Sequence, residues 1–201
     1  TGAGTGIGKA TAQALLGAGY RVTLAGRRAE PLHAVVAELA AKPDEALVVP
    51  TDVADPASVK AMFAATVQKW GRVNVLFNNA GVAAGGLVWE NTEADWDWVL
   101  GVNLKGVVHG VRLFTPMMLE AAQKDPSFQG HMVNTASMAG LLTPPNMGIY
   151  NVTKHAVVAL TETLYQDLKL VSEQISASVL CPYFVPTGIN QSERNRPAHL
   201  P

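Results

Sequence analysis

The sequence predicts an α/β fold, a Rossmann-type doubly wound parallel sheet with helices on both faces. Short β-rich runs alternate with segments of helical period along the chain, which is typical of parallel strands joined by right-handed crossover helices. Hydrophobic residues make up 48% of the 201 residues and charged residues 15%, as expected where central strands are buried on both faces. The chain also opens on a glycine-rich run, T-G-A-G-T-G-I-G, that leads directly into a helix-forming stretch.

The first half of the chain contains three of the predicted strands. A helix over 9–16 follows the glycine-rich run, and a helix over 29–41 has apolar residues at a period of 3.6. The helix over 56–70 starts with Pro56, where the missing N–H costs nothing, and Asp55 before it is a plausible N-cap. The strands of this half are 21–25, 46–49 and 73–77.

The second half repeats the pattern. Helices are predicted over 92–99, 100–123 and 148–171, with strands over 131–135 and 175–180. After Cys181 the alternation stops, and a polar tail containing Pro182, Pro186, Pro197 and Pro201 is expected to form a loop over one edge of the sheet. We expect one domain over residues 1–201, with an N-terminal strand and a C-terminal end that lie outside the given chain.

Composition excludes several classes of protein. Fifteen Lys and Arg against sixteen Asp and Glu give a net charge of −1, which leaves no basic excess for nucleic acid. No apolar stretch is long enough to span a membrane, so no membrane partner is expected. Cys181 is the single cysteine, which rules out an intramolecular disulfide and a cysteine-based zinc site, and we predict no metal site. A reducing, cytoplasmic location is compatible with it.

The glycine-rich run has the composition of a phosphate-binding turn. Gly2, Gly6 and Gly8 surround small residues just before a helix. Small side chains allow a diphosphate to approach the backbone, and the free N–H groups and dipole of the helix N-terminus attract its charge. The alternative is a glycine-rich turn that binds nothing, because such a motif alone has low specificity.

Tyr150 and Lys154 are spaced four residues apart at the start of a predicted helix. This spacing places both side chains on one helix face. An ammonium beside a phenol favours the phenolate, so we expect the pKa of Tyr150 to lie below 10 and Tyr150 to act as a general acid/base. The alternative is an incidental pair, since this spacing occurs by chance in many proteins.

Several polar residues follow the predicted strands and should meet at one edge of the sheet. Ser137 follows the strand 131–135, and an Asn-Asn-Ala-Gly run follows 73–77. Because the carboxyl ends of parallel strands face the ligand crevice, these residues should converge there. Each residue alone has an ordinary structural explanation, but their shared position indicates a cofactor crevice. The others are Asp52 and Val53 after 46–49, and Arg27 and Arg28 after 21–25.

Together these motifs resemble the classical branch of the short-chain dehydrogenase/reductase family. The resemblance runs from residue 1 to about residue 188 and includes T-G-x-x-x-G-x-G, D-V, N-N-A-G, V-N-L, Ser137 and Y-x-x-x-K. It implies a catalytic set in which Tyr150 passes a proton to or from the substrate oxygen and Ser137 hydrogen-bonds that oxygen. Lys154 would lower the pKa of Tyr150 and hold the nicotinamide ribose. Asn103 would hold a relay water, or simply bond a backbone carbonyl.

The resemblance also implies a nicotinamide dinucleotide cofactor. Asp52 would accept from the adenine amino group, and Arg27 with Arg28, in a place without a carboxylate, favours NADP over NAD, although NAD remains possible. Thr5 points the other way, because many NADP-preferring relatives carry a basic residue there. The implied cofactor-binding residues are Gly2, Gly4, Thr5, Gly6, Ile7, Gly8, Arg27, Arg28, Asp52, Val53, Asn79, Ala80, Gly81, Tyr150, Lys154, Val185 and Thr187.

The expected reaction is hydride transfer between this cofactor and an apolar or cyclic ketone or secondary alcohol. Tyr183 stands where the family commonly has Gly, which alters the wall of the pocket. The candidate wall residues are Met138, Met147, Tyr183 and Phe184, with Leu141, Leu142 and Ile189 close by.

Two alternatives remain open: a non-catalytic dinucleotide sensor of the same fold, and an epimerase or dehydratase that keeps its cofactor tightly held. The family resemblance implies a homo-oligomer, a tetramer or a dimer, formed through the helices 100–123 and 148–171.

Overall fold

A computed structural model describes residues 1–198 of the chain, and its helices and strands follow the predicted order. Pro201, which the sequence places in the tail loop, lies outside these residues. The first half contains α1 (Gly6–Gly17), β1 (Val22–Gly26), α2 (Ala29–Glu38), β2 (Ala46–Pro50), α3 (Pro56–Trp70) and β3 (Val75–Asn78). The second half contains α4 (Glu93–Leu100), α5 (Gly106–Lys124), β4 (Gly130–Thr135), α6 (Gly148–Val171) and β5 (Ile175–Leu180).

All five strands pair in parallel, which confirms the predicted α/β class. β1 pairs with β2, and β4 lies between β3 and β5. A helix connects each strand to the next along the chain, as parallel pairing requires. The strand ends that carry the candidate site residues therefore point to one edge.

Residues 1–3 join the two groups of strands. The amide of Ala3 donates to the carbonyl of Ala25 at the end of β1 (3.1 Å), and the amino group of Thr1 donates to the carbonyl of Phe77 in β3 (2.7 Å). The five strands of the given chain thus form two hydrogen-bonded groups, and residues 1–3 contact both of them.

The core lies on both faces of the strands. The larger cluster packs α3, α5 and α6 against the β3–β4–β5 group, with Met118, Met132 and Ile175 fully buried. A smaller cluster packs α1 and α2 against β1 and β2 around Leu24 and Leu32. These clusters hold the strand ends in place beneath the site.

Two elements differ from the sequence prediction. The predicted helix 100–123 begins with a π-helical turn, Gly101–Lys105, before α5 starts. The tail after Cys181 is not only a loop, because Gly188–Asn195 forms 3₁₀-helical turns with a kink at Gln191, and the N-cap, Thr187, accepts from the amide of Ile189 (3.4 Å).

Within residues 1–198, no helix has the length and apolar character needed to cross a bilayer.

Candidate active site

The glycine-rich turn leads into an α1 helix whose N-terminus is open. Thr5 is the N-cap residue, but its side chain makes no capping hydrogen bond, and no acidic residue stands in the first turn. The N–H groups of this turn therefore have no side-chain partner at the cap. A methyl group on Gly8 would lie 2.7 Å from both the carbonyl carbon of Gly2 and the side-chain nitrogen of Asn79, so only glycine allows this close packing.

A cleft of about 740 Å³ lies at the carboxyl ends of the strands. The turn forms one part of its wall, and the loops after β1, β2 and β3 form another. The cofactor candidates that line it are Gly2, Gly4, Thr5, Gly6, Ile7, Arg27, Arg28, Asp52, Val53, Asn79, Ala80, Gly81, Tyr150, Lys154, Val185 and Thr187. Of the predicted cofactor set, Gly8 alone does not line the cleft, because it packs behind Gly2.

Ser137, Tyr150 and Lys154 meet at the wall of this cleft. Tyr150 is 7% exposed and hydrogen-bonded by the Ser137 side chain. The ammonium of Lys154, 2% exposed, donates to the carbonyl of Thr135 at the end of β4 (2.9 Å) and lies 5.4 Å from the centre of the Tyr150 ring. The three side chains thus present two hydroxyl groups and a cation at one place.

Burial controls the titration of this pair. It raises the pKa of Tyr150 above its usual 10, and the Ser137 hydrogen bond reverses only part of that effect. Burial also lowers the pKa of Lys154 from 10.5 to about 8. The pKa of Tyr150 is therefore raised in this structure, against the expectation that Lys154 lowers it, because loss of water around the phenol outweighs the Ser137 hydrogen bond.

Asn103 lies behind the cleft, inside the π-helical turn. It is 1% exposed, and its side chain accepts from the amide of Val82 (2.8 Å) and donates to the carbonyl of Val82 (2.9 Å). It also donates to the hydroxyl of Thr153 (3.2 Å), which in turn donates to the carbonyl of Tyr150 (2.9 Å). The side-chain amide thus fixes the segment after β3 to the first turn of α6, in agreement with the backbone-bonding alternative.

The predicted substrate wall is found in part. Met147, Tyr183, Phe184 and Ile189 line the cleft. Met138 does not line it, and Leu141 and Leu142 are exposed outside it, since the chain turns away after the 3₁₀ turn Met138–Gly140. Tyr183 and Phe184 pack edge to face at 4.7 Å and are largely exposed.

Residues 187–196 form a segment along the cleft that we call the lid, and this element was not predicted from the sequence. Its Ser192 is 3% exposed and accepts from the amide of Ala83 (2.9 Å), and the Arg27 side chain donates to the carbonyl of Asn195 (2.5 Å). Ser192, Arg194 and Asn195 all line the cleft. No hydrophobic period marks this segment, so no sequence signal identified it.

Known proteins match the chain over nearly its whole length. A family model described as short chain dehydrogenase matches residues 1–198. The chain is 34% identical over 198 residues to the CLA biosynthesis dehydrogenase/reductase of Lactiplantibacillus plantarum, an alignment that covers 98% of this chain and 68% of that protein.

Solved structures give the same match. A short chain dehydrogenase/reductase from Burkholderia phymatum, in complex with NAD, aligns with a TM-score of 0.91 at 50% identity, over 100% of this chain and 69% of that one. An alcohol dehydrogenase from the archaeon Thermococcus sibiricus, complexed with 5-hydroxy-NADP, aligns with a TM-score of 0.85 at 27% identity. The alignment covers 95% of this chain and 77% of that one.

Proposed function

We propose that this chain moves a hydride between its cofactor and a ketone or secondary alcohol. The chain belongs to the short-chain dehydrogenase/reductase family and is an NAD(P)-dependent oxidoreductase, and this reaction is the proposed form of that activity. The observation that supports this reaction is the cluster of Ser137, Tyr150 and Lys154 at the wall of the cleft. A carbonyl oxygen needs a proton donor and a hydrogen-bond donor beside it, and these side chains provide both.

The cleft fits a dinucleotide. Its volume of about 740 Å³ suits a ligand of that size, and the open α1 N-terminus suits a diphosphate. Residues 2–7 would hold the diphosphate, and Lys154 the nicotinamide ribose. Asp52 and residues 79–81 would hold the adenosine half, with Val185 and Thr187 at the carboxamide. When bound, the cofactor supplies or accepts the hydride.

The side chains of the cluster would divide the proton chemistry. Burial keeps the Tyr150 hydroxyl protonated near neutral pH, which suits donation to a carbonyl oxygen. Ser137 would donate to the same oxygen as charge develops on it. Lys154, with a pKa of about 8, is largely cationic at pH 7 and would favour the Tyr150 anion once its proton has left. The relay water at Asn103 stays a prediction.

We favour NADP(H) over NAD(H), with the second kept as the alternative. Arg27 and Arg28 line the cleft in the loop after β1, and guanidinium groups suit a 2′-phosphate. Arg27 already donates to the lid at Asn195, but a guanidinium has five N–H donors and can serve both. The similar structures include one bound to NAD and one bound to an NADP analogue, so either cofactor fits this family.

The substrate we expect is a small apolar or cyclic carbonyl compound or the matching alcohol. Met147, Tyr183, Phe184 and Ile189 line the cleft beside Tyr150 and present apolar surface. A cytoplasmic location is our expectation from the single cysteine.

The test is a fluorescence titration with NADPH and NADH, followed by a screen of apolar ketones and alcohols. Tyr150→Phe should lower turnover at least about a hundredfold, because general acid–base catalysis supplies a factor of this order, and should leave cofactor affinity nearly unchanged. Tyr165→Phe is the matched control on α6, half-exposed and away from the cleft, and should keep full activity.

Full turnover by Tyr150→Phe would remove Tyr150 from the mechanism. Binding with no net cofactor turnover would favour the epimerase, dehydratase or sensor alternatives.

A further inference from the structure

Arg194 is a cation that the lid carries into the cleft. It lies on the 3₁₀ helix Gly188–Asn195 and lines the cleft together with residues 4–7 of the glycine-rich turn. A methyl group built on Gly188 would lie 2.9 Å from Nη1 of Arg194, so the guanidinium packs directly over that glycine. The cation is therefore held against residue 188 on the side of the lid that lines the cleft.

The neighbouring Thr187 places this group near the open end of α1. A methyl group built on Gly6, the first residue of α1, would lie 3.1 Å from Cβ and Cγ2 of Thr187. The lid thus touches the glycine-rich turn next to the residue on which Arg194 packs. Arg194 and the first residues of α1 line the same cleft.

Within residues 1–198, no carboxylate pairs with the positive charge of Arg194. Its guanidinium donates to the neutral side-chain oxygen of Gln191 (2.7 Å). Arg196, two residues later, instead pairs with Asp95 at 2.6 Å. Asp52 is the one carboxylate among the described residues that line the cleft, and it accepts from the amide of Ala54 (2.9 Å).

Three contacts fix the lid on either side of Arg194. Ser192 bonds the amide of Ala83, Asn195 accepts from Arg27, and Arg196 pairs with Asp95. The backbone at Arg194 is therefore held by its neighbours, while its side chain is held by Gln191 and by packing over Gly188. A long cationic side chain that is held in place and lacks a counter-ion is suited to an anionic ligand.

We propose that Arg194 binds the diphosphate of the dinucleotide from the lid side, opposite the α1 N-terminus. This inference rests on the proposed cofactor site and deepens it by adding a ligand that the glycine-rich turn does not supply. Because the diphosphate is common to NADH and NADPH, Arg194 contributes to the affinity for both, whereas Arg27 contributes to the choice between them.

The experiment measures binding by calorimetry with NADH, NADPH, ADP-ribose and adenosine. Arg194→Gln should weaken the first three by about tenfold and leave adenosine binding unchanged, since adenosine has no phosphate. Arg194→Lys should fall between wild type and Arg194→Gln, because it keeps the charge and loses the fork of donors. Lys60→Gln, which removes a charge from the exposed face of α3, is the matched control.

Other binding results overturn the proposal. Unchanged NADH affinity would exclude a diphosphate contact, and a loss confined to NADPH would assign Arg194 to the 2′-phosphate. Weaker adenosine binding would show that the variant disturbs the lid itself. If wild type binds none of these ligands, the cofactor site and the inference fall together. If Arg194→Gln weakens binding but no carbonyl compound is turned over, the proposed reaction fails and the inference stands.

Discussion

Lys154 places a cationic group where almost no water reaches it. With a pKa of about 8 in the folded chain and 10.5 as its ordinary value, it binds fewer protons when folded than when unfolded between those pH values. Stability contributed by this group therefore rises with pH across this window. The full difference corresponds to roughly 3 kcal/mol. Tyr150 and Cys181 lie beside it, each with a pKa raised by burial, and both act in the opposite direction, Cys181 above pH 9 and Tyr150 above pH 10.

Replacing the buried ammonium isolates its effect. Lys154→Met should be more stable than wild type near pH 7, and this advantage should shrink by about 2 kcal/mol between pH 8 and pH 10 as the wild-type lysine loses its proton. Urea unfolding at several pH values measures the difference. Lys60→Met, at an exposed position, should show no such trend. A pH-independent gap between Lys154→Met and wild type would mean that the lysine titrates normally.

Gly8 tests the packing of the glycine-rich turn. Gly8→Ala places a methyl group 2.7 Å from the backbone of Gly2 and the side chain of Asn79, so it should destabilise the fold by about 2 kcal/mol or more. Gly17→Ala, at the last residue of α1 with no atom within 4 Å of the new group, should be neutral or stabilising by up to about 1 kcal/mol. Thermal unfolding compares them. Equal melting temperatures would contradict the observed close packing.

Residue spacing predicted which side chains meet, but not how they titrate. The rule that parallel strands end at one edge was enough to bring Asp52, Asn79 and Ser137 to one cleft. The direction of the Tyr150 pKa shift depends on how far the folded chain buries the phenol, and the sequence does not give the extent of that burial. Met138 was misplaced for the same kind of reason, because its direction is set by the 3₁₀ turn that begins with it.

Helix ends were predicted best where the local sequence carries its own signals. α3 begins at the predicted Pro56, with Asp55 accepting from the amide of Ala57 (2.9 Å), and ends at Gly71 in the left-handed conformation. The π-helical turn and the lid lack such signals. Asn103 is held by Val82, and Ser192 by Ala83, so both elements depend on contacts with distant parts of the chain.

The lid is fastened to α4 through one carboxylate. Asp95 accepts from the amide of Thr92 (2.8 Å) in a capping box and also pairs with Arg196 (2.6 Å). Burial acts to raise the pKa of Asp95, but the hydrogen bonds of Thr92 and the charge of Arg196 outweigh it, and the pKa lies below 3.8. The stabilisation is therefore present above pH 4 and is lost as the pH falls through the lowered value.

Asp95→Asn should loosen the lid while it keeps the cap. The amide oxygen can still accept from Thr92, but the ion pair with Arg196 is lost. We expect cleavage by trypsin after Arg194 to become about fivefold faster, which corresponds to about 1 kcal/mol of local opening. Glu193→Gln is the control, because it also removes a carboxylate near Arg196, but that carboxylate lies at the longer distance of 3.7 Å and is exposed. Identical cleavage rates for wild type and Asp95→Asn would contradict this role.

The oligomeric state of the protein can be tested through the exposed side chains of α6. α6 exposes four apolar or aromatic side chains, Val152, Tyr165, Leu170 and Val171, and Leu170 is 83% exposed. Apolar surface of this kind is common at protein interfaces. We expect a dimer or tetramer by light scattering at micromolar concentration, and Leu170→Glu should shift it towards the monomer. A wild-type chain that stays monomeric would contradict an interface on α6.

The cleft takes its walls from loops that follow different strands, which has a consequence for how a ligand stabilises the fold. Arg27 follows β1 and Asn79 follows β3, and both line the cleft. A dinucleotide there would contact both loops at once, and a ligand that binds only the folded chain adds its binding free energy to the stability. Hydrogen exchange should then slow in both loops together, so that two distant stretches of the chain owe part of their protection to one bound molecule.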